Sequence, residues 1–223
     1  MEPFWLIFIG IAALVIIIIV LNQWFEKKRK EAWQKAAEDL HIEFLGNNNN
    51  VLSRCGGMKL FSRGRSRRFL NAICGDAGDT NITLGDYRFR TGSGKNSNTR
   101  VYTLCVLQSN QLNVTGCYLR PQIAFFDSIG AMLGGQDIDF EEDHAFSRAF
   151  VLQGEDEEAI RKLFNSEVRR WFVDRKDRHL QFEARNNTLV FHTGRRHKPD
   201  QAKELMQEAL EIMNLLAQQQ DKA

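Results

Sequence analysis

Asp137, Asp139 and Glu141 alternate along the chain, and Asp143 and His144 follow at once. On an extended strand the three would share one face, and carboxylates so grouped supply the oxygen ligands that hold Mg²⁺ for hydrolysis or group transfer. A calcium loop fails, because Glu142 and Arg148 stand where its glycine and terminal glutamate belong. The other reading of the same run is an acidic, solvated entry to a strand. Gly92-Ser93-Gly94-Lys95 imitates a phosphate loop, yet Phe89 and Asn96 occupy the places of its first glycine and its hydroxyl residue. It reads as a hairpin turn. His41, His144, His179, His192 and His197 are dispersed, and no Gly-x-Ser-x-Gly occurs. No catalytic residue and no cofactor emerge from this survey.

Cations form the second group. Arg54, Lys59, Arg63, Arg65, Arg67 and Arg68 fall in one stretch without an acid, while residues 137–158 carry nine acids against Arg148. A further block, Lys27, Lys28, Arg29 and Lys30, follows the first apolar segment. Near a membrane such cations meet anionic headgroups, each contributing about 1 kcal/mol. The block at 27–30 and Arg63, Arg65, Arg67 and Arg68 are therefore candidate contacts for anionic lipid; the alternative for 63–68 is a solvated loop. Overall, 30 bases against 28 acids leave a formal charge of +2, which disfavours a nucleic-acid binder. Phe61 and Phe69 are too few to make a stacking platform.

What positions these groups begins with the segment Phe4 to Trp24, which has no charged residue. As a helix it spans roughly 30 Å, the thickness of the bilayer's hydrocarbon core. Trp5 and Trp24 suit the two interfaces. Glu2 before the run and Asn22-Gln23-Trp24-Phe25 after it are not the flanks of a cleaved signal peptide. The positive block at 27–30 keeps its side of the helix in the cytoplasm. The expected topology is therefore a single pass through the membrane, with the N-terminus outside and the C-terminal domain in the cytoplasm. Cys55, Cys74, Cys105 and Cys117 form no Cys-x-x-Cys and read as reduced, mostly buried thiols, as that compartment requires.

After the anchor, Trp33, Ala36, Ala37, Leu40 and Phe44 recur at helical spacing, and Gly46 with Asn47 to Asn50 ends that helix as a linker. Period-two runs then predict strands at 69–75, 82–90, 101–107 and 114–119, in an antiparallel meander. A short helix is expected at 125–133, a strand at 145–152, helices at 155–164 and 168–173, and a hairpin of 180–184 with 188–192 around Asn186-Asn187. Pro199 opens a last helix whose Leu205, Ala209, Met213 and Leu216 close the core. The fold is α+β: an N-terminal transmembrane helix, then a mostly antiparallel sheet domain with inserted helices and a C-terminal closing helix. The expected divisions are an anchor at 1–25, a juxtamembrane helix and Asn-rich linker at 26–50, the cytoplasmic domain at 51–217 and a frayed tail at 218–223.

The stretch Gly135-Gln136-Asp137-Ile138-Asp139-Phe140, then Phe146 to Glu157, then Ile160-Arg161-Lys162-Leu163-Phe164 resembles a family of uncharacterised bacterial single-pass membrane proteins. The resemblance covers about residues 85 to 200 and implies a bacterial membrane protein, without supplying a catalytic residue. Two functions fit the sequence. One is a membrane-tethered cytoplasmic interaction or scaffold module, partnered by the bilayer through residues 4–24, by anionic headgroups and by an unidentified membrane protein. The other is a membrane-anchored, divalent-metal-dependent hydrolase or transferase using the Asp137/Asp139/Glu141 face.

Overall fold

The computed structural model describes residues 4–122 and 137–220. Its first element is one unbroken helix, Phe4–Leu40. Among the described residues, every large exposed hydrophobic except Leu45 lies between residues 5 and 25 of that helix. A surface apolar on all sides belongs in lipid, and this helix is long and apolar enough to cross a membrane. Beyond it the same helix becomes part of a protein core. Trp33 is fully enclosed and Ala36 and Ala37 are buried. Their small side chains let the helix lie close against a sheet.

His41 adopts a left-handed φ of 56° and reverses the chain, so that β1 (Glu43–Gly46) runs back beside β2 (Arg65–Ala77). A Cβ on Gly75 would overlap the Ile42 side chain, so only glycine lets this corner seat on β2. The sheet continues through β3 (Thr80–Thr91), β4 (Asn98–Ser109), β5 (Val114–Pro121), β6 (Phe150–Gly154), β7 (Gln181–Asn186) and β8 (Thr188–His192). Its order is β1-β2-β3-β4-β8-β7-β5-β6, with every neighbouring pair antiparallel.

Alternation sends β4 residues to two cores. Cys105 and Leu107 join the anchor helix and the C-terminal helix Ala202–Gln220 on one face, while Leu104 and Val106 meet the short helices Asn50–Arg54 and Lys59–Ser62 on the other. Helices Glu157–Leu163 and Ser166–Val173 add a phenylalanine cluster to the first core, in which Phe164, Phe172 and Phe182 stack. The hairpin turns at Asn186, whose φ of 52° is positive as its side chain permits.

Several expectations need correction. The meander holds for β1 to β4 only, because the β7–β8 hairpin inserts between β4 and β5. The expected strand at 145–152 is split into helix His144–Ala149 and strand β6; Asp143 accepts the Phe146 amide at 3.1 Å and so caps a helical turn. Phe44 lies on β1 rather than on the helix, and Asn48 and Asn49 bond to Phe69 instead of forming a free linker. A domain cut at residue 51 would therefore lose β1 and Trp33. The tail is not frayed through Gln220, since Gln220 exchanges side-chain bonds with the Asn113 backbone at 2.9 and 2.7 Å. The helix expected at 125–133 lies outside the described residues.

The pair that fixes the helix to the sheet is Arg29 and Asp86. Asp86 is wholly buried on β3, and Arg29 meets its two oxygens at 2.6 Å each. Asn71 Nδ2 and Thr103 Oγ1 donate to the same carboxylate at 3.2 and 3.1 Å, and Arg29 also donates to the His197 carbonyl at 2.8 Å. Removing Arg29 leaves the buried Asp86 charge facing only the longer contact to Arg196, at 3.5 Å. Arg29→Met should lower the unfolding free energy of the full chain in detergent by about 3–5 kcal/mol, and the double variant Arg29→Met/Asp86→Leu should recover most of it. Denaturant unfolding followed by circular dichroism reads both, and a single variant as stable as the parent would refute the assignment.

Candidate functional site

Two contacts set how the sheet lies along the anchor. Arg29 meets Asp86, whose neighbour on β2 is Leu70, and Ile42 lies against Gly75. From Arg29 to Ile42 the helix advances about 20 Å at about 1.5 Å per residue, and from Leu70 to Gly75 the strand advances about 17 Å. The two therefore run nearly parallel. The Arg65 end of β2 points toward the apolar half of the helix. Arg68 and Arg88, paired across the strands, lie about 7 Å beyond Asp86 in that direction, level with Trp24, itself about 7.5 Å beyond Arg29.

This strand end is built of cations. Arg68 faces Arg88 and Arg65 faces Arg90, each pair directly opposed, and Lys95 and Arg100 belong to the adjoining turn and strand. Residues 61–68 and 87–102 hold no acid. Like charges directly opposed across strands destabilise a sheet by roughly 0.2–1 kcal/mol per pair. Bulges with positive φ at Ser66 and Asn71 relieve the register here.

Of the cations read from the sequence, Lys27, Lys28 and Lys30 are exposed, with Lys28 3.1 Å from Glu31. Arg29 is not available to lipid, because buried Asp86 holds it. Arg63, Arg65, Arg67 and Arg68 are all exposed; Arg65 donates to the Gly92 carbonyl at 2.7 Å and Arg67 to that of Phe61. Arg54 and Lys59 turn inward, to Asn81 at 3.0 Å and Gln153 at 2.7 Å. Arg88, Arg90 and Arg100 were missed by a reading confined to one stretch. The alternation Asp86, Arg88, Arg90 on a single predicted strand was the signal that would have found them.

The acidic run has local partners. Ile138 and Phe140 are buried while Asp137, Asp139 and Glu141 are exposed, so the alternation is real, although only Asp137 makes a strand-like bridge, to Gln153. Gln153 Nε2 also donates to Asp137 at 2.8 Å, and Arg169 lies 3.2 Å from Glu142 and 3.0 Å from Asp143. Among the described residues no three Asp, Glu, His or Cys side chains converge as a metal site needs.

Buried titratable groups have structural partners too. Glu183 accepts the backbone N–H groups of Lys59 and Leu60 at the start of a short helix, and burial pushes its carboxyl up while pushing Lys59 down. The four cysteines are free; burial raises the thiols of Cys55 and Cys117 to about 12, so they stay protonated. His192 stacks on Tyr102 with 5.6 Å between centroids, and its Nδ1 accepts the Gly194 N–H at 3.0 Å. Burial, aided by the Arg63 charge, holds His192 down to about 3.

Two outcomes follow for solution measurements. His192 stays neutral when folded but takes a proton near its ordinary value of 6.5 when unfolded, so its contribution is complete above pH 6.5 and is lost as the pH falls toward 3. His192→Phe should reduce the acid slope of stability below pH 6 by about 1.4 kcal/mol per pH unit, leaving a residual slope from His197, which burial shifts the same way. Millimolar Mg²⁺, Mn²⁺ or Ca²⁺ should leave the melting temperature unchanged, whereas an ion at about 100 times its dissociation constant would add about 2.7 kcal/mol. Stabilisation lost on Asp137→Asn would restore the metal reading.

No family model matches the sequence, and no curated protein does. Among solved structures, the chain is similar to the crystal structure of the mycobacterial trehalose monomycolate transport factor A, TtfA, with a TM-score of 0.57 and 11% identity over 86% of this chain and 93% of that one. At that identity the likeness shows a shared fold and nothing beyond it.

Proposed function

We propose that this protein is a single-pass protein of a bacterial inner membrane whose cytoplasmic domain is a non-catalytic interaction module held against the anionic leaflet. The observation that carries the reading is the continuity of the helix Phe4–Leu40, lipid-facing in one half and core in the other. Such a domain has no tether on which to swing away. Its cationic strand ends lie at the level of Trp24, where headgroups begin, and each cation there contributes about 1 kcal/mol through water within about 8 Å.

Lys27, Lys28 and Lys30 support the orientation, because basic flanks stay in the cytoplasm. The central motif's likeness to bacterial single-pass proteins supports the source, and TtfA, being described as a transport factor, supports a membrane role without catalysis. An unidentified membrane protein is the partner such a fixed module would meet.

Two measurements test this. A reporter active only outside the cytoplasm, fused after Ala223, should give no signal, and a strong one would invert the topology. In nanodiscs of anionic lipid, a fluorophore on the Cys74→Ser background should be quenched by headgroup-labelled lipid at Ser66 and not at Asp79, which sits at the opposite end of the β2–β3 hairpin. Equal quenching at both positions, or the reverse order, would show that the cationic end does not meet the leaflet.

A further inference from the structure

On the face of the sheet opposite the anchor helix, the same strand ends enclose a cavity of about 450 Å³. Its walls are Phe89, Tyr102, Tyr118 and His192, with Arg63 and Arg100 at its rim. The volume lies in the range of pockets that take small ligands, and the composition, aromatic walls with a few polar groups, is of that kind. Phe89 stands between Tyr87 and Tyr102, at 5.1 and 5.5 Å from their ring centroids, so the wall is held rigidly.

The polar groups have one sign. Arg63 and Arg100 form no ion pair among the described residues, and Arg63 lines the cavity together with Tyr118. With Nδ1 of His192 already accepting from Gly194, the neutral ring carries its proton on Nε2 and presents a donor. No carboxylate lines this cavity. A site with two guanidinium groups, a ring N–H and aromatic walls is complementary to an anion joined to an apolar body.

Position selects among such anions. Arg100 lies three residues past Thr103, the partner of Asp86, which places it about 10 Å beyond the level of Arg29 toward the apolar half of the anchor. That is the headgroup layer under the reading above. We propose that this cavity binds one anionic phospholipid, the phosphate ester between Arg63 and Arg100 and the adjoining apolar part against Phe89 and Tyr102. The proposal rests on the membrane-proximal placement of the strand ends, but its test does not, because lipid retention in detergent is independent of how the domain lies on a bilayer.

The full chain, purified in mild detergent and supplied with phosphatidylglycerol or phosphatidylcholine, should retain one phosphatidylglycerol per chain by native mass spectrometry, with at least tenfold preference. Arg63→Gln/Arg100→Gln should reduce retention at least tenfold, Arg63→Lys/Arg100→Lys should restore part of it, and Arg88→Ser/Arg90→Ser, on the other face, should leave it unchanged. Unaltered circular dichroism melting establishes that the variants fold. Glycerol phosphate should compete only weakly. Equal retention of both lipids, retention unaffected by the Gln variants, or glycerol phosphate binding as tightly as the lipid would each overturn the assignment.

Discussion

A buried carboxylate with no water to solvate it governs this structure. Asp86 is fully enclosed, and its charge is met chiefly by Arg29, which reaches it from the helix that also carries the apolar segment. Asn71, placed by a bulge in β2, and Thr103, from β4, complete its hydrogen bonds, and Arg196 stands 3.5 Å away while pairing with Glu26 at 3.0 Å. Helix, sheet and the segment before the C-terminal helix therefore meet at one charge. Among the described residues, the helix shares the core of the sheet domain from about Arg29 onward. The exposed apolar length of the helix and the enclosed Trp33 are two solvents' demands on one element, and Arg29 marks the boundary between them.

That boundary gives the cations their meaning. In water, opposed arginines on β2 and β3 would only weaken the hairpin, and the net charge of +2 would hide them. At the depth of Trp24, under the proposed reading, the same repulsion would be offset by anionic headgroups. The acidic residues 137–158, by contrast, are used locally: Asp143 and Asp156 cap helices, Glu157 and Glu158 pair with Arg161 and Lys162 one turn on, and Glu142 and Asp143 meet Arg169. The two charge clusters are similar in sequence and different in chemistry. One is satisfied by its own chain and the other faces outward.

The β4 strand shows how two cores are made from one pattern. Alternate residues go to the anchor side and to the side of the short helices, so that both faces of the sheet's centre are dry. The second face is the thinner one. Its short helices cover Phe69, Tyr87 and Leu104, and Leu60 of the second lines the cavity beside Phe89, Tyr102 and His192. Buried neutral His192 is part of the cavity wall for the same reason that Cys105 and Cys117 remain thiols: burial penalises the charged form.

By itself the sequence determined what depends on neighbours along the chain. The apolar run, the period-two segments of β2 to β5, the turn at Asn186 and the opening of the last helix at Pro199 are local effects, and each can be read from a few adjacent residues. It also located the basic stretch 63–68, because composition is additive. Long-range pairing was not legible. Nothing near Asp86 or Arg29 announces a contact across 57 residues, and the insertion of β7–β8 between β4 and β5 depends on which strand edges are free after collapse. Arg29 looked like its three lysine neighbours until the fold placed a buried carboxylate opposite it. Arg88 and Arg90 became one surface with Arg65 and Arg68, and Arg100 joined the same strand end from the opposite face, only when register aligned the strands. Periodicity states which way a side chain faces, whereas only tertiary packing decides what it faces.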